Sequence, residues 1–356
     1  MKTATHKILG FITVFGIFLT LHQCTPPSED PSIEFLFRDL RNLKMPEPNL
    51  RLATPTVVTS ATVVSSTLAA AVTNGIAGIP GSGQVPAVVS QAVADANAAF
   101  GDAGISPSTI IAGFTPEAIT TLTNSGQLPG SLQGPINNLR ANNRLRPYFP
   151  VSSLPQVNGQ PVTPTTTTLP TPTPPAIIPA VVLTPVNYNG SDACFKEAND
   201  LFDNVTRDLN ASRVSQIASV NGTYNTDKSS ADNEVTSCAA GTQQTYSLLV
   251  AAAKSALDAS LANLQAAQPT LGSANYTTLL ALTYVQYANL ILTYNDLQKA
   301  ELNACVVTRD ARIAAAVVAR DTNISQINEA FNNTVRTAQA LVLQLLDSCH
   351  NQGSGR

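Results

Sequence analysis

The sequence predicts an all-α C-terminal domain, an elongated antiparallel helical hairpin or bundle with nested disulfides, preceded by a largely low-complexity region. Three observations carry this expectation. Cys194 and Cys349 are centred on the same point as Cys238 and Cys305, between Leu271 and Gly272. That centre falls in a breaker stretch, Gln268-Pro269-Thr270-Leu271-Gly272-Ser273. On either side of it helix breakers are scarce: residues 273–352 contain neither Gly nor Pro, and residues 191–268 contain only Gly222 and Gly241. Proline costs about 3 kcal/mol and glycine about 1 kcal/mol inside a helix, so their absence over such lengths is informative.

Facing residues of an antiparallel hairpin share one centre, so the predicted cross-links are Cys194–Cys349 and Cys238–Cys305. Four cysteines permit three pairings. Joining Cys305 to Cys349 requires a reversal near Ile327, where no turn residue lies, and a helix between them spans about 66 Å. A crossed pairing puts the partners far out of register. The remaining alternative is four buried, unpaired cysteines. Each arm separates its two cysteines by 44 residues (194 to 238, 305 to 349), four repeats of eleven. The fragment Val306-Val307-Thr308-Arg309-Asp310 recurs eleven residues on as Val317-Val318-Ala319-Arg320-Asp321.

Near the turn the apolar steps are helical: Leu249, Ala253, Ala256, Ser260 and Leu264 on one arm, and Tyr276, Leu280, Thr283, Tyr287, Leu290, Tyr294 and Leu297 on the other. Pro269 is expected to end the first arm and Ser273 to cap the second. Single helices of this length are rare outside coiled coils, so a bend is expected in the first arm, at Asn221-Gly222.

In chain order, residues 1–24 read as an export signal. Lys2 and Lys7 precede an apolar core, Ile8–Leu21, too short for a membrane span of about 20 residues. Leu21-His22-Gln23-Cys24 resembles a bacterial lipobox and makes Cys24 a candidate lipidation site. Export places the later cysteines in an oxidising compartment. No other stretch is long and apolar enough to span; Leu279–Leu292 carries Thr, Gln and Asn and reads as a buried helix face.

Residues 25–150 are expected to be low in charge and partly disordered. Ile33–Leu43 suits a short amphipathic helix ended by Pro46 and Pro48. From Thr54 to Leu139 the only charges are Asp95, Asp102 and Glu117, and this Ala/Val/Thr/Gly-rich stretch (54–139) favours self-association or a partner. One helix is predicted over Val85, Val88, Val89, Ala92, Val93, Ala96 and Phe100, and another starts at Thr115-Pro116-Glu117 and ends by Gly126. Gly78-Ile79-Pro80-Gly81-Ser82-Gly83 lacks the Lys-Ser/Thr of a P-loop and reads as a flexible turn. Arg140, Arg144 and Arg146 read as solvated charge. Residues 151–187 form a Pro/Thr-rich linker that resembles an O-glycosylated stalk.

Residues 188–352 are the disulfide-linked helical domain, with fifteen acids against ten bases. N-glycosylation candidates cluster there: Asn189, Asn204, Asn210, Asn221, Asn275, Asn323 and Asn332 each lie two before Ser or Thr. Glycans are expected on exposed helix faces. Ala193-Cys194-Phe195 opening the domain, Ser348-Cys349 closing it, widely spaced cysteines and a Pro/Thr-rich lead resemble insect secreted cysteine-bearing helical proteins of the tsetse midgut EP type. That resemblance implies export.

Catalytic chemistry is not indicated. His6 and His22 lie in the signal, leaving His350, whereas nucleophilic triads need a base beside the nucleophile. The cysteine gaps do not suit zinc. The acid pairs Asp200 with Asp203 and Asp232 with Glu234 have helix-surface spacing and read as solvated charge. An acidic domain disfavours nucleic acid. Tyr276, Tyr287 and Tyr294 read as packing. No cofactor or metal is expected, and the partner expected is a protein or extracellular-matrix component. The expected function is a secreted structural or interaction glycoprotein, not an enzyme, with the helical domain held away from the apolar region by the stalk. The alternatives are a cell-envelope lipoprotein anchored through Cys24, or a carrier of a small apolar ligand in the helical domain.

Overall fold

The computed structural model describes residues 31–165, 170–183 and 193–352. Two long helices dominate, α7 (Ala193–Leu271) and α8 (Ser273–Gln352), joined at Gly272 into a hairpin. Gly272 adopts φ +74°, the left-handed conformation that a side chain disfavours. Its N–H donates to Gln268 O and its carbonyl accepts from Tyr276 N–H, so one residue closes one helix and opens the next. Ser273 is therefore the first helical residue and not the cap. Pro269 lies within the last turn of α7 and does not end it.

Both predicted disulfides are formed, Cys194–Cys349 and Cys238–Cys305. The expected bend at Asn221-Gly222 is absent: α7 runs through it unbroken. A Cβ at Gly222 would meet nothing within 4 Å, so that glycine serves no close approach, and a single glycine penalty does not break a long helix. On α8 the eleven-residue register is visible in burial. Cys305, Ala316, Ile327, Ala338 and Cys349, each eleven apart, are all buried.

The chain forms two compact units. The first comprises Met1–Pro46, Ala180–Ser212 and Ala330–Arg356. It holds α1 (Pro31–Arg41), the expected amphipathic helix, whose Leu40 is fully buried. Its other buried residues follow helical steps, Phe195, Ala198, Phe202, Val205 and Leu209 on α7, and Phe331, Val335, Ala338, Val342 and Leu345 on α8. The outer disulfide belongs to this unit.

The second unit comprises Glu47–Pro179 and Arg213–Glu329. Here the expectation of a partly disordered region and a separating stalk is corrected. Five helices, α2 (Thr67–Ser82), α3 (Ala87–Ala103), α4 (Pro107–Gly113), α5 (Pro116–Ser125) and α6 (Gly130–Ala141), share one core with the hairpin near its turn. The low-charge region packs on the chain's own hairpin. Ser66, Ser106 and Thr115 cap α2, α4 and α5 through their hydroxyls, and Pro107 and Pro116 occupy first-turn positions where no N–H is missed. Gly78–Gly83 is not a flexible turn: it forms the end of α2, where Gly83 in the left-handed region donates its N–H to Ile79 O. Val72, Ile76 and Ile79 set that helix's buried stripe, and the surrounding Gly and Pro obscure it in the sequence.

Two small antiparallel sheets finish this unit. β2 (Thr62–Val64) pairs with β3 (Val151–Ser153), where the chain enters and leaves the five-helix lobe. β1 (Val58–Thr59), β4 (Gln156–Val157) and β5 (Gln160–Pro161) form the other. β4 and β5 meet at Asn158-Gly159, both at positive φ, the two-residue turn whose twist suits a hairpin. Val157 and Val162 are buried with Ala304 and Val307 of α8.

Candidate functional site

The α8 segment from Glu301 to Asn328 gathers the unusual chemistry of the second unit. An extended stretch of chain with few hydrogen bonds of its own lies along it, and polar side chains of α8 supply partners to that backbone. Glu301 Oε1 accepts from Ala61 N–H at 2.9 Å. Asn303 Nδ2 donates to Thr163 O and Pro164 O at 3.1 and 3.0 Å. Asn323 holds Arg51 from both sides: its Oδ1 accepts from Arg51 N–H at 2.7 Å and its Nδ2 donates to Arg51 O at 2.9 Å. Ser325 Oγ accepts from Ile178 N–H at 3.1 Å, and Asn328 Nδ2 donates to Ile178 O at 2.7 Å. In the first unit Asn332 does the same, accepting from Val181 N–H at 2.8 Å. A carboxamide offers the donor and the acceptor of a peptide group, so these side chains take the place of a neighbouring strand.

Asn323, Asn328 and Asn332 are each at most 8% exposed. Burying an amide without a partner costs roughly 1–3 kcal/mol, which is why each is matched to backbone. This settles how the sequons distribute. Asn204 and Asn275 are exposed and Asn210 and Asn221 half-buried, on helix surfaces. Asn323 and Asn332 do not lie on exposed faces as expected; their amide groups hold backbone. Asn189 and Cys24 lie outside the described residues.

Between the Asn303 and Asn323 anchors the extended chain stands off the helix and leaves a cleft of about 710 Å³. Its floor is Val307, Ala311, Ala314, Ala315 and Val318 of α8; its walls are Arg51–Thr56 and Pro170–Pro172. A second cleft of about 410 Å³ is bordered by Cys238, Cys305, Glu301, Arg309 and Arg312. The inner disulfide is thus asymmetric: Cys305 is buried, whereas Cys238 is exposed.

The remaining polar candidates are in ordinary ion pairs. Asp200 meets Lys196 at 2.7 Å and Asp232 meets Lys228 at 2.9 Å, one helical turn apart, while Glu234 pairs with Arg312 of α8. Arg144 pairs with Asp102 at 3.2 Å, but Arg140 is not solvated charge. It is half-buried, its Nε donates to the buried Asn289 Oδ1 at 2.8 Å, and burial lowers its pKa against the opposing influence of Asp296. Arg320 stacks on Tyr224 at 4.7 Å, and its hydrogen bond to the buried Asp321 raises its pKa. His350 follows Cys349 in α8, and its side chain is outside the described residues.

The tyrosine stripe is packing, as expected. Tyr287 is buried, its hydroxyl 2.5 Å from Thr123 Oγ1, and Tyr294 meets Tyr246 edge-on at 6.3 Å. Burial raises the pKa of Tyr246, Tyr287 and Tyr294 above the ordinary value. Among the described residues no group of His, Cys, Asp and Glu is placed to hold a metal ion, and no helix is long and apolar enough to cross a membrane. Sequence reasoning missed the asparagine anchors; their spacing along one helix (303, 323, 328, 332) is the signal that was available. No protein-family model, curated protein or solved structure matches the chain.

Proposed function

We propose that the protein is an exported, non-catalytic structural or interaction glycoprotein, built as a disulfide-braced helical scaffold. One observation carries this reading. The buried asparagines of α8 do not converge on a shared reacting centre; Asn323, Asn328 and Asn332 each hold the chain's own backbone. Rigidity is what such an arrangement supplies. Two disulfides between the helices fit an oxidising compartment, and the resemblance to insect secreted helical proteins points the same way. The extended Pro/Thr-rich segment acts as a strap along α8 and not as a stalk.

Expression of the full chain in insect cells tests it. The protein is expected in the medium, with a mass that falls on N-glycosidase treatment and glycopeptides at Asn204, Asn210, Asn221 or Asn275. Retention in the cells, or a secreted protein with no mass shift, overturns the reading. A diacyl mass on Cys24 after bacterial expression supports the envelope-lipoprotein alternative instead.

A further inference from the structure

We propose that the cleft between α8 and its strap binds a single-chain amphiphile with a carboxylate head, a long-chain free fatty acid. The proposal goes beyond the scaffold reading and does not depend on export. Three features carry it. The first is the floor. From Val307 to Ala319 the residues of α8 bordering the cleft are Val or Ala apart from Asp310, and Ala311, Ala314, Ala315 and Val318 are only half-buried. Among the described residues no larger side chain fills the space above them. This floor runs about 18 Å along the helix axis, at about 1.5 Å per residue, a length suited to an extended acyl chain. The cleft's 710 Å³ lies within the range of small-molecule sites, about 300–1,000 Å³.

The second feature is the mouth. Leu52 is 80% exposed and Val306 39% exposed, and both border the cleft. An apolar chain on the floor would cover both, and removing such surface from water favours binding. The third is charge. Arg51 borders the cleft, and among the described residues no carboxylate pairs with its guanidinium. Asn323 holds the Arg51 backbone on both sides, so the base of this cation is fixed before a ligand arrives. Asp310, the acid bordering the cleft, is already taken by Arg309 at 2.6 Å. One available cation beside an apolar trough matches a carboxylate head on an acyl tail.

Titration of the full-length protein with cis-parinarate and with its methyl ester tests the assignment, read by the rise in probe fluorescence. Saturable one-to-one binding of the acid is expected, displaced by palmitate. Ala315→Trp and, separately, Ala314→Phe should weaken it by at least about tenfold, with helical circular dichroism unchanged. Arg51→Gln should weaken the acid about fivefold or more and leave the ester unaffected. Absence of saturable binding, or binding that neither floor substitution moves, overturns the site. Equal binding of acid and ester, unchanged by Arg51→Gln, overturns the carboxylate assignment.

Discussion

The two long helices are alike in length and much of their composition, 79 and 80 residues rich in Ala, Thr and Asn, yet they hold different places. α7 buries a single stripe near the turn, Tyr246, Ala253, Leu257, Leu264, Ala267 and Leu271. α8 is buried more broadly there, through Leu279, Ala281, Leu282, Val285, Tyr287, Ala288 and Ile291, and farther along it buries asparagines against the strap. Both internal glycines of the pair fall on α7, in open space. The lesson is that equal propensity does not imply equal role. The central helix is identified by what packs on it, and its polar residues are tolerated because an otherwise unpaired backbone needs them.

The largest effect expected is in the core. Leu282→Ala on α8 should cost about 2–5 kcal/mol, whereas Leu248→Ala on α7, 66% exposed, should change stability by less than about 0.5 kcal/mol. Chemical denaturation that gives equal costs would break the contrast. Next come the cross-links. Removing the inner disulfide by Cys238→Ser with Cys305→Ser should cost about 2–4 kcal/mol in the same measurement. In the native protein a dithiol should open this bond before the outer one. Its thiolate can attack at Cys238, an exposed residue, with Cys305 leaving as thiolate, whereas in the outer pair Cys194 is half-buried and Cys349 buried. Alkylation and peptide mass mapping during limited reduction give the order, and outer-first reduction contradicts it.

The strap sharpens the comparison at a smaller scale. Asn323→Leu should destabilise the chain by about 1–3 kcal/mol, and the Arg51 amide should exchange with deuterium much faster, because that N–H loses its acceptor. Unchanged exchange at Arg51 would mean that the anchor does not hold in solution. Gly222→Ala should stabilise by about 0.5–1 kcal/mol, since a Cβ meets nothing there and the helix gains propensity; a lower melting temperature would show that α7 bends after all.

Alkali gives the smallest signal. Tyr246 on α7 and Tyr287 on α8 have raised pKa values in the fold, so the neutral phenol is favoured there. Their contribution is fully present below the unfolded value near 10 and is lost as pH rises through the folded values. Tyrosinate absorbance in the native protein should therefore lag that of the denatured chain, and coincident titrations would contradict the burial of both rings.

Cysteine placement and the absence of breakers made the hairpin legible, because a disulfide pair and a helix both obey local spacing rules. The start of α5 was legible for the same reason, in Thr115-Pro116. The bend expected at Asn221-Gly222 is absent, since local propensity weighs a glycine without knowing that packing and a cross-link carry the helix past it. Asn158-Gly159 marks a hairpin that low β-propensity around it concealed.

By itself, then, the sequence determined the two arms, their turn and the pairing of their sulfurs. Tertiary structure alone decided that residues 67–148 fold onto the hairpin, that the described parts of the Pro/Thr-rich segment lie along α8, and that Asn323 and Asn332 are anchors as well as sequon residues. The physical reason is range. Helix, cap and turn signals act over a few residues, whereas a carboxamide at 323 meets its partner at 51 only after the chain has closed a loop of more than two hundred residues.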